Sequence, residues 1–192
     1  MSRPSLLLLT GPPGVGKTTV CLGLARLLGE KGWKVGGIVT LAEGRRRLAL
    51  DLGSGERRLL AVGSGPMPAR MGEESPAGPS GPRWGPYRFS RPALDWGNAA
   101  VLRAVAGGVD LVILDEVGPL ELVLGEGFLP ALRAVLEGPP SGLIVVRPAL
   151  LERVAGMAGR LAVRREVTLE NRQALPEEMA AWLERQFLRE VP

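Results

Sequence analysis

The sequence predicts an α/β fold: a mainly parallel sheet with helices on both faces and an inserted β-hairpin. Three observations predict it. Short apolar runs alternate with stretches that carry apolar residues at helical spacing, the signature of strand–helix–strand crossovers. One such run passes through a glycine-rich turn directly into a helical pattern. Two further runs flank Gly53-Ser-Gly55, the pattern of an antiparallel hairpin.

Taken in order, residues 5–10 (Ser-Leu-Leu-Leu-Leu-Thr) form a strand apolar enough to be buried on both faces. A helix over 17–29 follows, with Val20, Cys21, Leu24, Leu27 and Leu28 as its apolar stripe and Gly29 and Gly32 at its end. Residues 33–40 give a second strand, and 48–52 with 59–62 give the hairpin, whose surrounding arginines are the usual dress of a solvated edge. From 63 to 85 the chain is crowded with Gly, Pro and Ser, so a mobile loop is expected inside an otherwise single domain spanning 1–192. Residues 86–89 read as a strand, and 92–106 as a helix with Leu94, Val101, Leu102 and Val105 inward. Strand 109–115, helix 128–136, strand 143–146, helix 149–157, strand 161–169 and helix 176–188 complete the alternation.

The turn after the first strand holds Gly11, Pro12, Pro13, Gly14, Val15, Gly16, Lys17, Thr18 and Thr19. A Gly, four residues, then Gly-Lys-Thr is a phosphate-binding loop when it joins a strand to a helix. Backbone N–H groups and the helix N-terminus face the anion, Lys17 reaches the terminal phosphates as a catalytic cation, and the Thr18 hydroxyl takes Mg²⁺. The second half of the site is expected at Asp115-Glu116, where an apolar strand delivers two carboxylates to the same rim of the sheet. Asp115 has the role of a metal ligand with Thr18, and Glu116 that of the group that orients or deprotonates the attacking water, both of them lying against the nucleotide. An arginine is often added to such a site, and Arg45, Arg46, Arg47 and Arg83 are the candidates.

Composition excludes other chemistries. The chain of 192 residues has no histidine and one cysteine, so Ser-His-Asp catalysis, His-ligated zinc and an internal disulfide are ruled out. Cys21, on the first helix, reads as a small core residue. The net charge of +4 is spread along the chain, almost entirely as arginine, and aromatics make up only 4%, which disfavours nucleic acid as a partner. No run approaches the length of a membrane span and no charged leader precedes a long apolar stretch, so the cytoplasm is the expected compartment and no membrane partner is expected.

These segments resemble the THEP1-type nucleoside-triphosphatases, called cancer-related nucleoside-triphosphatases in animals. The likeness rests on residues 11–19, on Leu-Asp-Glu-Val-Gly-Pro-Leu-Glu-Leu at 114–122, and on Val-Thr-Leu-Glu-Asn-Arg at 167–172. Gly-Pro-Tyr-Arg-Phe at 85–89 and Leu94-Asp95 add to it. It implies a P-loop NTPase fold that hydrolyses the terminal phosphate of several nucleoside triphosphates with Mg²⁺ and little base preference, and it puts Asn171 and Arg172 near the base. The family's Glu-Val-Arg after the second strand is Leu-Ala-Glu-Gly-Arg at 41–45 here, and its Lys-Met is Pro119-Leu120. Two rival functions remain at this level: a kinase passing the γ-phosphoryl group to a small acceptor, and a nucleotide-responsive binding module. A Ras-like guanine switch is disfavoured, since none of the three lysines follows an asparagine.

Overall fold

The computed structural model describes residues 5–64, 80–158 and 162–188. In chain order the elements are β1 (Leu6–Thr10), α1 (Lys17–Glu30), β2 (Val35–Glu43), β3 (Arg46–Asp51), β4 (Arg57–Gly63), β5 (Arg83–Trp84), β6 (Tyr87–Phe89) and α2 (Arg91–Ala106). Then follow β7 (Leu111–Val117), α3 (Pro119–Leu122), α4 (Leu129–Glu137), β8 (Ser141–Val146), a 3-10 turn leading into α5 (Leu151–Met157), β9 (Ala162–Glu166) and α6 (Leu175–Leu188).

One nine-stranded sheet carries them in the order β5-β6-β4-β3-β2-β7-β8-β1-β9. Strands β2, β7, β8, β1 and β9 are parallel to their neighbours. Beyond β2 the sheet turns antiparallel through β3, β4, β6 and β5.

The four leucines of β1 show how the layers form. Side chains alternate along a strand, so Leu6 and Leu8 join Leu94, Val101 and Leu132 of α2 and α4 on one face. Leu7 and Leu9 join Val20, Leu24 and Leu28 of α1 and Met179 and Leu183 of α6 on the other. All four are buried, each worth on the order of 1.5–3 kcal/mol, which pins the strand from which the glycine-rich loop springs. Ser90 caps α2 by accepting a hydrogen bond from the Ala93 N–H, with Pro92 in the first turn.

Several expectations need correction. The hairpin is not a solvated edge: β3 lies between β2 and β4, and β4 is itself covered by β6. Arg83 and Trp84, expected inside the loop over 63–85, form the short strand β5 against β6, while residues 65–79 of that loop lie outside the described residues. Residues 119–122, assigned no element from sequence, make the one-turn helix α3. Leu102 does not point inward but is 45% exposed, because the face of α2 that meets the sheet runs through Leu94, Gly97 and Val101. Among the described residues no helix is long and apolar enough to cross a membrane.

Candidate functional site

Local geometry explains the composition of the loop after β1. Gly11 has φ +141°, and a Cβ there would come within 2.7 Å of the Val167 carbonyl oxygen just past β9, so only glycine fits. Gly16, with φ +109°, turns the chain into α1. Val15 anchors the loop in the core, while Pro12, Pro13 and Gly14 are exposed. Thr19 is also exposed, and together with Gly16 and Arg172 it lines a shallow depression beside α1.

Lys17, the first residue of α1, is buried and donates to the carbonyls of Gly11 at 2.8 Å and Pro12 at 2.9 Å. One position on, the Thr18 hydroxyl donates to Asp115 Oδ2 at 2.7 Å and lies 3.4 Å from the Thr40 carbonyl. Thr40 in turn donates its hydroxyl to the Asp115 main-chain oxygen at 2.7 Å. The head of α1, strand β2 and the C-terminal part of β7 thus meet at Asp115.

Asp115 is 1% exposed. Burial pushes its carboxyl up to about 7, against the Thr18 hydrogen bond that favours the ionised form, and the nearby Glu116 charge raises it further. The carboxyl accepts from the Thr18 hydroxyl and from the Thr40 main chain, and its remaining lone pairs leave it capacity for a cation. One carboxylate and one hydroxyl are a donor set that suits Mg²⁺, which keeps several waters and shares its remaining positions with phosphate oxygens. Among the described residues no three His, Cys, Asp or Glu side chains cluster as a metal cage, so such an ion would depend on oxygens from substrate and water.

Glu116 is half-buried, and the Nε of Arg147 donates to its Oε1 at 2.6 Å. Arg147 follows directly on β8 and was not among the arginines singled out from sequence. Its relevance comes from sheet order: β8 lies between β1 and β7, so the residue after β8 emerges between the glycine-rich loop and the acidic pair. Of the arginines proposed from sequence, Arg47 lies with its guanidinium 4.6 Å from the Tyr87 ring centroid and hydrogen-bonds the Tyr87 hydroxyl, and Arg83 sits on the outermost strand β5.

Glu121, also passed over, explains much of the acidic segment. It is 4% exposed; its two oxygens accept the N–H groups of Gly118 at 2.8 Å and Phe128 at 2.9 Å, and burial holds its carboxyl above the usual range. That bracket fixes the turn that follows Glu116. Asn171 likewise fastens a turn, accepting from the Thr168 N–H and donating to the Glu166 carbonyl, both at 2.9 Å. Arg172 lies over Gly16, where a Cβ would sit 3.5 Å from its Cδ. Cys21 is buried, and burial pushes its thiol up, as suits a core residue and not a nucleophile.

Against known proteins, the family model described as NTPase matches residues 6–180. The chain is 36% identical over 195 residues to "Nucleoside-triphosphatase THEP1" of Methanopyrus kandleri, an alignment covering 94% of this chain and 98% of that protein. It is 38% identical over 183 residues to the protein of the same name from Thermofilum pendens, covering 90% and 92%. Among solved structures, that of a human cancer-related nucleoside triphosphatase superposes with a TM-score of 0.69 at 25% identity, over 93% of this chain and 97% of that one.

Proposed function

The chain belongs to the THEP1-type nucleoside-triphosphatase family, and from that premise we propose that it hydrolyses nucleoside 5′-triphosphates, ATP and GTP among them, to the diphosphate and phosphate with Mg²⁺ and with little preference for base. The observation that carries this reading is the 2.7 Å hydrogen bond from Thr18 to Asp115 across 97 residues of sequence, which brings the phosphate loop and the acidic strand end to one point.

The residues then take distinct parts. The loop from Gly11 to Thr19 surrounds the phosphate chain with backbone N–H groups at the head of α1. Lys17 exchanges its two loop carbonyls for phosphate oxygens. Bound Mg²⁺, held by Thr18 and Asp115, would supply neutralisation of charge on the terminal phosphates. Glu116 orients the attacking water and takes its proton. Arg147 and Glu116 are 53% and 32% exposed at their side chains, so their ion pair is worth about 0–1 kcal/mol. It can therefore be given up when a triphosphate arrives, turning the guanidinium to the γ-phosphate and freeing the carboxylate for water.

Broad base preference is supported by Arg172 beside Gly16. A guanidinium plane stacks on any ring without reading its edge. A nucleotide substrate supports the cytoplasm as the compartment. The test is phosphate release from each common ribo- and deoxyribonucleoside triphosphate with Mg²⁺ and with EDTA. Comparable rates across bases that vanish in EDTA are expected; turnover of a single base, or turnover without a divalent cation, would overturn the corresponding part.

A further inference from the structure

Next to Glu116 the structure has a half-open cavity of about 110 Å³ that water activation does not require. Thr40, Glu116 and Arg147 form the wall shared with the candidate metal site, and the opposite walls are aromatic. The whole chain has four Trp, one Tyr and three Phe, yet Trp84, Tyr87, Phe89 and Phe128 all line this one space. Phe128 belongs to the core and Phe89 packs against it, but Trp84, Tyr87 and Phe89 are only half-buried, so each keeps part of its surface for this space. The Arg47 guanidinium, stacked on Tyr87 and bonded to its hydroxyl and to the carbonyls of Gly44 and Arg46, stiffens the wall and so lowers the ordering cost of a bound ligand.

The position in the sheet decides what such a site could serve. Arg172 lies on the β9 side of the phosphate loop, where a base would rest, whereas the cavity lies on the opposite side, among residues of β2, β4, β6 and β7. The phosphate chain of a nucleotide would run between them, its γ end toward the cavity. Size and charge narrow the occupant. An enclosed cavity of about 150 Å³ takes benzene; this one, at about 110 Å³, is smaller but half-open, so a single flat ring enters it with part of the ring and its substituents in the opening, and a second fused ring does not. Glu116 and Glu121 in the lining are offset by Arg47 and Arg147, so the space has no excess charge to select an ionised ligand, and the Glu116 carboxylate is placed to accept the proton of a neutral hydroxyl.

We propose that this cavity is a second-substrate site for a single-ring aromatic or heteroaromatic alcohol, to which the γ-phosphoryl group passes in place of water. The inference rests on the nucleoside-triphosphate reading of the loop. In the step, the acceptor oxygen bonds to the γ-phosphorus, the bond from that phosphorus to the β,γ-bridging oxygen breaks with its electron pair leaving on the nucleoside diphosphate, and the hydroxyl proton goes to the Glu116 carboxylate.

The experiment uses the full chain with Mg²⁺ and ATP labelled at the γ-phosphate, with pyridoxine, uridine or benzyl alcohol at millimolar concentration, and separates labelled phosphate from labelled phosphoester. Labelled ester from at least one probe is expected, with a matching fall in labelled phosphate. Trp84→Ala, or Tyr87→Leu should the first not fold, is expected to cut ester formation at least tenfold while acceptor-free phosphate release stays within twofold of wild type. Label found only in inorganic phosphate with all three probes overturns the proposal, as does ester formation that both variants leave unchanged. Loss of phosphate release in the acceptor-free control would instead count against the hydrolase reading itself, so the two failures are distinguishable.

Discussion

The two halves of the sheet are built by different rules. In the parallel half, β1, β7 and β8 are apolar almost throughout and buried on both faces, and every residue proposed for phosphate or metal emerges at their ends. In the antiparallel wing, β3 and β4 mix arginines with leucines, and most of their residues keep some contact with solvent. A strand sealed between two helical layers has nowhere to shift, so it can hold a hydroxyl and a carboxylate 2.7 Å apart. A half-wetted wing can surround a cavity and tolerate change. Positional accuracy therefore belongs to the first region, and the proposed accommodation of a ligand to the second.

Substitutions in the parallel half should therefore dominate. Lys17→Ala is expected to have the largest effect: it removes the ammonium at the head of α1 that is proposed to bind the terminal phosphates, and turnover should fall below detection in a phosphate-release assay. Residual turnover above a tenth of wild type would mean that the wing supplies cations of its own. Glu116→Gln should retain nucleotide binding, measured by equilibrium titration, and lose on the order of 10²–10⁴-fold in kcat. Arg147→Ala should come next, with a fall of about 10²–10³-fold. The same substitution at Arg47, across the cavity in the wing, should change hydrolysis by no more than a few fold, and equal losses at the two arginines would erase the distinction between the halves.

Legibility followed the same division. The loop over 11–19 and Asp115-Glu116 stood out as candidates because each is a contiguous string whose expected chemistry follows from local spacing, and the structure brings Thr18 and Asp115 together. The strands of the parallel half could be read because burial on both faces leaves an unbroken apolar run. Arg147 could not: the chain has 24 Lys plus Arg, nearly all Arg, and only the insertion of β8 between β1 and β7 puts this one against Glu116. Glu121 escaped for a related reason, since its partners Gly118 and Phe128 are main-chain groups that sequence does not distinguish. In the wing, β5 was lost inside a Gly/Pro-rich stretch because a two-residue strand has no periodicity to detect.

A stability measurement sharpens the contrast further. Asp115 has its carboxyl raised from 3.8 to about 7, so between those values the folded chain holds a proton that the unfolded chain has released. The stabilisation is fully present below the unfolded value and is lost as pH rises through the folded one, a total of roughly 4 kcal/mol. Glu121, raised by burial as well, works in the same direction. In EDTA, the midpoint of thermal unfolding should fall between pH 5 and pH 8. At the proposed metal site Mg²⁺ would compete with the proton for the Asp115 carboxylate, so it should raise the midpoint more at pH 8 than at pH 5. Asp115→Asn should remove most of the decline while abolishing the response to Mg²⁺. A decline of unchanged size in that variant would assign the proton to another group.

The smallest effect is expected deep in the wing. Arg58 on β4 places its guanidinium 4.8 Å from the Trp96 ring centroid on α2 and pairs with Glu56 at 2.8 Å. Its side chain is 44% exposed, so the stacking and the ion pair together contribute about 0.5–1 kcal/mol. Arg58→Ala should lower the midpoint by roughly 2–4 °C per kcal/mol lost for a chain of this size and leave kcat unchanged, because no strand end that carries a candidate catalytic side chain borders the contact. A tenfold change in kcat from so small a loss of stability would show that the wing's packing sets the geometry at Thr18 and Asp115, and the mechanical separation of the two halves would not stand.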